Sequence, residues 1–273
     1  MTSTEPAADA LCFTEAGTGP PLLLVHGLMA TGEMFEPIVR YLAPSHRLIM
    51  PDMRGHGRSR ALPPLYTAAQ LAGDLARLLD HLGIETADVL GYSQGGAIAQ
   101  QLALDHPERC HRLVLACTFA FNMATIREKL EGHVVPPAIR ALGMRRFAKF
   151  VVSQASKELG PERAAWLTGV MAGQDQNAMV AAWQQTMTFD SRRRLAEISC
   201  PTLVVAAAQD QAVPIHHARM LHEGIPGSQL VVIDGADHAL IWTHPEALAH
   251  VTAEFLAPDS ASRDGQGHIT PNG

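Results

Sequence analysis

The segment Val89-Leu90-Gly91-Tyr92-Ser93-Gln94-Gly95-Gly96 is the most informative part of this chain. It joins a short apolar segment, predicted as a strand, to a predicted helix at residues 97–105. Gly91 and Gly95 lie two residues on either side of Ser93, where a Cβ atom would collide if a strand met a helix in a very tight turn. Such a turn exposes the serine hydroxyl and directs the first free helix N–H groups toward the place where a negatively charged oxygen would develop. The segment therefore predicts that Ser93 is a nucleophile.

The composition narrows the class of protein in which this serine could act. The chain has 273 residues, of which 47% are hydrophobic and 18% charged, which suits one sizeable domain or a domain with a large insertion. The formal net charge of −6 argues against binding to nucleic acid, which would require a basic face. We therefore expect a small-molecule substrate.

The cysteines and the N-terminus predict where the protein resides. Cys12, Cys110, Cys117 and Cys200 lack the paired spacing of a zinc site and are interpreted as small buried hydrophobes in a reducing compartment. Residues 1–10 have neither a basic start nor an apolar run, and no segment approaches a membrane span. We expect a cytoplasmic protein without a secretion signal or membrane span, and no spacing predicts a metal or an organic cofactor.

Apolar runs alternate with helical patterns on both sides of Ser93. Leu22–Val25 is a continuous apolar run, which is typical of a parallel strand covered on both faces by helices. Thr67 and Gln70 form a capping box that begins an amphipathic helix. The predicted strands are 11–15, 22–25, 48–50, 87–90, 112–117, 202–207 and 230–233, and further helices are predicted at 38–42, 216–224 and 245–256. The pattern predicts an α/β fold.

Residues 119–195 interrupt this alternation with helical patterns, and Val151-Val152 is their one strand-like run. We call residues 119–195 the cap, because an insertion at this point could cover the site. Its methionines and tryptophans either line an acyl pocket or form the cap's own core, and both interpretations remain open at this stage. The predicted division is a core of 10–118 and 196–257, the cap, and flexible tails at 1–9 and 258–273.

A glycine-rich loop, Met53–Ser59, follows the predicted strand at 48–50. Its charged side chains and its imidazole raise the possibility of an anion site. We favour a structural loop that is held by Asp52 and Arg54.

A nucleophilic serine needs a base, and histidine is the natural choice. Reacting groups on a parallel sheet lie in loops at the C-terminal ends of strands, and His238 follows the strand at 230–233 by a short loop. His216 and His217 lie at a helix start and are poorer candidates. The histidine in turn needs a carboxylate. We favour Asp210, after the strand at 202–207, over its rivals Asp234 and Asp237, which are too close in sequence to reach behind the ring.

Together these segments resemble the α/β-hydrolase family over almost all of the chain from Pro20 to Leu256, including the family's chain order of serine, aspartate and histidine. The matching pieces are His26-Gly27, Asp52–Ser59, Gly91–Gly96, His106-Pro107-Glu108-Arg109, Asp210 before Val213-Pro214, and His238. The resemblance implies a mostly parallel central sheet flanked by helices, with a helical cap inserted after the strand that follows the nucleophile helix.

The resemblance also implies a role for each matched residue. Ser93 would attack the substrate carbonyl, His238 would act as general base and then general acid, and Asp210 would orient His238. The backbone N–H groups of Leu28 and Gln94 would form the oxyanion hole, whose donors are worth about 3 kcal/mol each in the transition state. His26 would brace the loop and take no part in the chemistry.

The family resemblance restricts the reaction class. Family dehalogenases and epoxide hydrolases carry an aspartate where this chain has Ser93, so the resemblance argues against both activities. The chain looks nearest to small carboxylesterases, enol-lactonases and medium-chain polyester depolymerases. We predict hydrolysis of carboxylic esters of small to medium apolar acyl groups through an acyl-enzyme, with no cofactor. Lactone or carbon–carbon bond hydrolysis, cofactor-free oxygen chemistry and a receptor-like or silent binding role remain alternatives, and the oligomeric state is left open, with a homodimer as one option.

Overall fold

The structure is a computed structural model that describes residues 2–4, 10–62, 67–154 and 159–257. Within these residues eight strands form one sheet in the order β1-β2-β4-β3-β5-β6-β7-β8. Strands β3 to β8 are mutually parallel. At one edge β2 pairs antiparallel with β4, and β1 pairs antiparallel with β2. The strands are β1 (Thr2–Thr4), β2 (Phe13–Ala16), β3 (Pro21–Val25), β4 (Arg47–Pro51), β5 (Ala87–Tyr92), β6 (Cys110–Ala116), β7 (Thr202–Ala207) and β8 (Gln229–Ile233).

Helices cover both faces of the sheet, which confirms the predicted α/β class. Alternate β3 side chains face opposite sides. Leu23 packs in the core formed with the helices at 68–81, 94–105 and 216–224, whereas Leu24 packs in the core formed with the helices at 36–42 and 245–256. None of the described helices is both long and apolar enough to cross a membrane. The helices are α1 (Glu36–Leu42), α2 (Ala68–His81), α3 (Gln94–Asp105), α4 (Ile126–Gln154), α5 (Pro161–Ala172), α6 (Gln176–Thr188), α7 (His216–Gly224), α8 (Leu240–Thr243) and α9 (Pro245–Leu256).

The N-terminal segment differs in part from the predicted flexible tail. Of residues 1–9 the structure describes Thr2–Thr4, and they pair with Phe13–Glu15 as the antiparallel edge strand β1. Three short polar residues carry no alternation of apolar and polar side chains, so the sequence pattern gave no sign of this strand. The other predicted tail, 258–273, lies outside the described residues.

The cap residues between β6 and β7 form helices α4, α5 and α6. Val151-Val152, the strand-like run, lies inside α4, because two β-branched residues are too short a run to override a long helical segment. Helix α4 is kinked at Gly143, whose φ of 70° interrupts the helix. At the base of the cap Phe121 pairs with Asp190 in an antiparallel bridge. The two ends of the cap therefore leave the core side by side.

Candidate active site

The turn between β5 and α3 has the geometry that the sequence predicts. Ser93 has φ 55° and ψ −123°, a conformation that few non-glycine residues adopt and that is often found at functional sites. A Cβ atom at Gly95 would lie 2.0 Å from the carbonyl oxygen of Val25, and one at Gly91 would lie 2.5 Å from the carbonyl oxygen of Gly95. The predicted need for glycine on both sides of Ser93 is therefore confirmed.

The structure brings the three sequence-predicted side chains together. His238 lies in the loop after β8, and its Nε2 atom is 3.1 Å from the Oγ atom of Ser93. Its Nδ1 atom is 2.8 Å from Oδ2 of Asp210, which lies in the loop after β7. Of the two rival carboxylates, Asp237 accepts a hydrogen bond from the backbone N–H of Ala239 in its own loop. The hydrogen-bonded chain thus runs from Ser93 through His238 to Asp210.

Asp210 is held in place by its own loop. Its side chain is 1% exposed, and its Oδ1 atom accepts hydrogen bonds from the backbone N–H groups of Ala212 at 2.9 Å and Val213 at 2.7 Å. Burial alone would lower the pKa of His238, but the charge and hydrogen bond of Asp210, aided by the charge of Asp237, raise it above its ordinary value. The arrangement therefore stabilises the protonated imidazolium.

Two buried side chains behind the triad were not identified from the sequence as part of the site. Tyr92 donates a hydrogen bond from its hydroxyl to the carbonyl oxygen of His238 at 2.8 Å, which fixes the histidine loop. The Sγ atom of Cys117 lies within 4.8 Å of a carboxylate oxygen of Asp210 and of a ring nitrogen of His238. Burial and the Asp210 charge raise the pKa of its thiol well above the ordinary value, so the thiol stays neutral beside the carboxylate.

The two N–H groups predicted for the oxyanion hole lie in suitable backbone positions. Gln94 is the first residue of α3, so its N–H has no carbonyl partner within the helix. Leu28 lies in the turn after β3, where Ala30 N donates to Gly27 O at 3.3 Å. Leu28 N–H donates to no acceptor among the described residues. Leu28 and Ser93 line the same cavity.

Two buried histidines hold the Leu28 turn. His26 Nε2 accepts a hydrogen bond from Met53 N at 2.8 Å, and His56 Nε2 accepts one from Met29 N at 3.3 Å. Each ring can then donate its Nδ1–H to a backbone carbonyl, that of Gly27 for His26 and that of Arg54 for His56. Burial lowers the pKa of both rings, that of His56 to about 3. Both rings are therefore neutral at pH 7, as these acceptor roles require.

The Met53–Ser59 loop is held by Asp52 and Arg54, as predicted. Asp52 accepts hydrogen bonds from Gly32 N and Arg58 N and forms an ion pair with Arg58 at 2.9 Å. Arg54 forms an ion pair with Asp74 of α2 at 2.7 Å. The prediction that Asp52 and Arg54 hold this loop is confirmed: Asp52 binds Arg58 within it, and Arg54 ties it to α2.

Gln94 also connects the turn to the cap, which the sequence did not indicate. Its side-chain Nε2 lies 3.0 Å from the carbonyl oxygen of Ala182, 3.1 Å from Oε1 of Gln185 and 2.7 Å from Oγ1 of Thr186, all in α6. The side chain is buried, with 3% of the residue exposed. Gln94 therefore contributes its backbone to the candidate site and its side chain to the attachment of the cap.

A cavity of about 430 Å³ opens beside Ser93 and His238. Its volume lies in the range of small-molecule sites. Of the cap methionines, Met171 lines it, whereas Met144 and Met179 pack with each other and with Met171 in the cap's own core. Cap methionines therefore belong mainly to the cap's own core, and Met171 also reaches the cavity. The cavity wall is mainly apolar and includes Leu28, Phe150, Val151, Leu167, Met171 and Trp242.

Comparison with known proteins gives concordant matches. A family model described as alpha/beta hydrolase fold matches residues 20–245. The poly(3-hydroxyalkanoate) depolymerase of Ectopseudomonas oleovorans is 33% identical over 251 residues, which covers 86% of this chain and 84% of that protein. A thermophilic esterase from Thermogutta terrifontis matches in structure with a TM-score of 0.81 and 30% identity, covering 90% of this chain and 92% of that one. The enol-lactonase from Burkholderia xenovorans LB400 has a TM-score of 0.79 and 26% identity, with 89% and 95% covered.

These matches span the sheet, the cap and the Ser93 turn. The family match alone covers well over half of the chain. This protein is therefore a hydrolase and belongs to the α/β-hydrolase fold family.

Proposed function

We propose that this chain is a serine hydrolase that cleaves carboxylic esters of small to medium apolar acyl groups. The observation that carries the proposal is the hydrogen-bonded chain from Ser93 Oγ through His238 to Asp210 Oδ2, with distances of 3.1 Å and 2.8 Å, at the wall of an apolar cavity. A serine activated by a histidine that a buried carboxylate orients is suited to acyl transfer.

The proposed reaction has two halves. Ser93 Oγ attacks the ester carbonyl carbon while its proton moves to Nε2 of His238. His238 then returns the proton to the leaving alcohol oxygen as the carbon–oxygen bond breaks, which leaves the acyl group on Ser93. A water molecule repeats the sequence, with His238 again taking a proton, and releases the carboxylic acid. Asp210 stays ionised throughout and stabilises the imidazolium.

The developing oxyanion would be bound by the N–H groups of Leu28 and Gln94. One belongs to a turn that two neutral histidines hold, and the other begins a helix whose dipole favours negative charge at this end. Because these donors are already oriented before substrate binds, they need little reorganisation in the transition state.

The substrate class is proposed from the cavity and the relatives. Its apolar lining, to which Leu167, Met171 and Trp242 contribute, favours an alkyl acyl chain over a charged one. The depolymerase and the thermophilic esterase are named for reactions at ester bonds. Lactone hydrolysis is the second candidate, since a lactone is a cyclic ester and the enol-lactonase shares this fold at 26% identity.

The acyl chain can be sized with p-nitrophenyl esters of increasing length, together with a panel of lactones. We expect turnover that is best at a short or medium chain and labelling of Ser93 by a fluorophosphonate probe. Leu167→Phe should shift the preference to shorter chains, because a larger side chain narrows the cavity. Leu142→Phe, a change at an exposed position in the same cap, is the matched control. A folded protein that neither turns over any ester or lactone nor reacts with the probe would contradict the proposal and favour a binding role.

The acid limb of the pH profile tests the role of His238. The base must be neutral, so we expect kcat/KM to fall about tenfold per pH unit below the pKa of His238. Because Asp210 and Asp237 hold that pKa above its ordinary value, the midpoint should lie above pH 6.5. The profile is obtained from initial rates on an uncharged ester, with the released acid measured by titration with alkali at each pH. A midpoint below pH 6.5 would contradict the assignment.

A further inference from the structure

A carboxylate and two imidazoles meet where the cap contacts the core, outside the proposed active site. Glu128 lies in the first turn of α4, and His216 and His217 begin α7. Oε1 of Glu128 is 3.1 Å from Nε2 of His217 and 3.4 Å from Nε2 of His216. One ligand atom from each of the three residues lies within 4.8 Å of the other two. The cluster therefore joins two segments that are far apart in sequence.

Glu128 is oriented by the N-terminus of its own helix. Its Oε2 atom accepts a hydrogen bond from Thr125 N at 2.9 Å, and its backbone N–H donates to Thr125 Oγ1 at 3.2 Å. This reciprocal pair is a capping box. It engages one carboxylate oxygen and leaves the other, Oε1, directed at the two histidines.

The two histidines present their ring nitrogens to that oxygen. His217 is fully buried and packs edge-on against Phe119. Nε2 of His216 is buried and forms no hydrogen bond with any described residue, although it lies only 3.4 Å from the carboxylate oxygen. A buried ring nitrogen without a partner is costly and calls for a ligand.

We propose that Glu128, His216 and His217 bind a divalent transition-metal ion of the zinc class. Two imidazoles, one carboxylate and an open position are a common ligand set for zinc. Zinc–nitrogen and zinc–oxygen bonds of about 2.0–2.1 Å place tetrahedral ligand atoms roughly 3.3 Å apart. The two separations from Oε1 of Glu128, 3.1 Å and 3.4 Å, match this spacing, and the two histidines offer ring nitrogens within 4.8 Å of each other.

The bound ion would connect the cap to the core at a point that affects the active site. Arg127 and Glu131, on either side of Glu128 in α4, line the cavity beside Ser93. A ligand that binds only the folded arrangement stabilises it by mass action. The ion would therefore hold this end of the cap against α7 and raise the stability of the whole chain.

The test uses the full chain without an affinity tag, stripped of metal by a chelator and then titrated with Zn²⁺ or Co²⁺. We expect one ion per chain by calorimetry and a rise in Tm of about 5 °C when free Zn²⁺ exceeds its Kd a hundredfold. Co²⁺ should give the visible absorption of a tetrahedral site. Glu128→Gln and His216→Gln should each weaken binding at least tenfold. His222→Gln, a change of an exposed histidine of the same helix, should bind as the native chain does.

Two results would overturn the proposal. One is a native chain with no Tm shift and no Co²⁺ absorption band. The other is an equal response in native, His216→Gln and His222→Gln chains, which would assign the ions to other surface histidines. His216 is partly exposed, so its replacement should fold even if Glu128→Gln does not. None of these measurements uses ester hydrolysis, so their outcome is independent of the proposed function.

Discussion

Replacing Ser93 by alanine should lower kcat/KM for p-nitrophenyl esters by about 10⁴-fold or more. The change removes the only atom that can form the acyl-enzyme in the proposed mechanism. It should leave the fold intact, because alanine and serine are strained alike at φ 55°. We expect Tm to stay within about 2 °C of the native value. Rates on a matched short-chain ester and a thermal melt measure both effects.

A second serine provides the control for this experiment. Ser228 forms a hydrogen bond with His222 on the protein surface, far in sequence from Ser93. The variant Ser228→Ala should therefore hydrolyse esters at the native rate. If Ser93→Ala instead kept more than a tenth of the native activity, Ser93 would not be the nucleophile. That result would favour cofactor-free oxygen chemistry, with His238 as the base.

Asp210→Asn should lower kcat by about 10⁴-fold, although it removes only a charge and keeps the shape. Two backbone N–H groups, from Ala212 and Val213, donate to Oδ1 of Asp210. They would hold the amide oxygen in that position and turn the amide nitrogen toward Nδ1 of His238. That ring nitrogen would then accept a hydrogen bond, so Nε2 would carry the proton. A histidine in this tautomer cannot accept the proton of Ser93.

Asp237→Asn is the matched control, because it removes a charge that raises the pKa of His238 and keeps an oxygen that can accept the hydrogen bond from Ala239 N. We expect a loss of less than tenfold from this variant, together with a lower midpoint in the pH profile. Steady-state kinetics of the two variants on one ester make the comparison. Equal losses in both would mean that charge near His238, rather than its tautomer, governs the rate.

Much of the core fold could be predicted because its signals are local. The run Leu22–Val25 is apolar on both faces, and β3 is buried on both faces. The capping box of Thr67 and Gln70 begins α2. Asp210 and His238 could be chosen because a parallel sheet gathers its strand ends at one edge, and the structure places them within hydrogen-bond distance.

Features that depend on distant contacts could not be predicted. Strand β1 exists because Thr2–Thr4 pairs with β2, and three polar residues have no pattern of their own. Arg54 was expected to hold its loop, but its partner Asp74 could not be named because it lies 20 residues away in α2. The cluster at Glu128 was missed for the same reason: His217 is 89 residues further along the chain, and no spacing rule connects them.

The side chain of Gln94 has a consequence for protein engineering. Caps are attractive units to exchange between relatives, since they carry the walls of the cavity while the sheet carries the catalytic groups. In this chain the residue after the nucleophile is anchored to Ala182, Gln185 and Thr186 of the cap. A foreign cap without matching acceptors would leave a buried amide without partners one residue from Ser93. A chimera should therefore be designed with position 94 and α6 taken from the same parent.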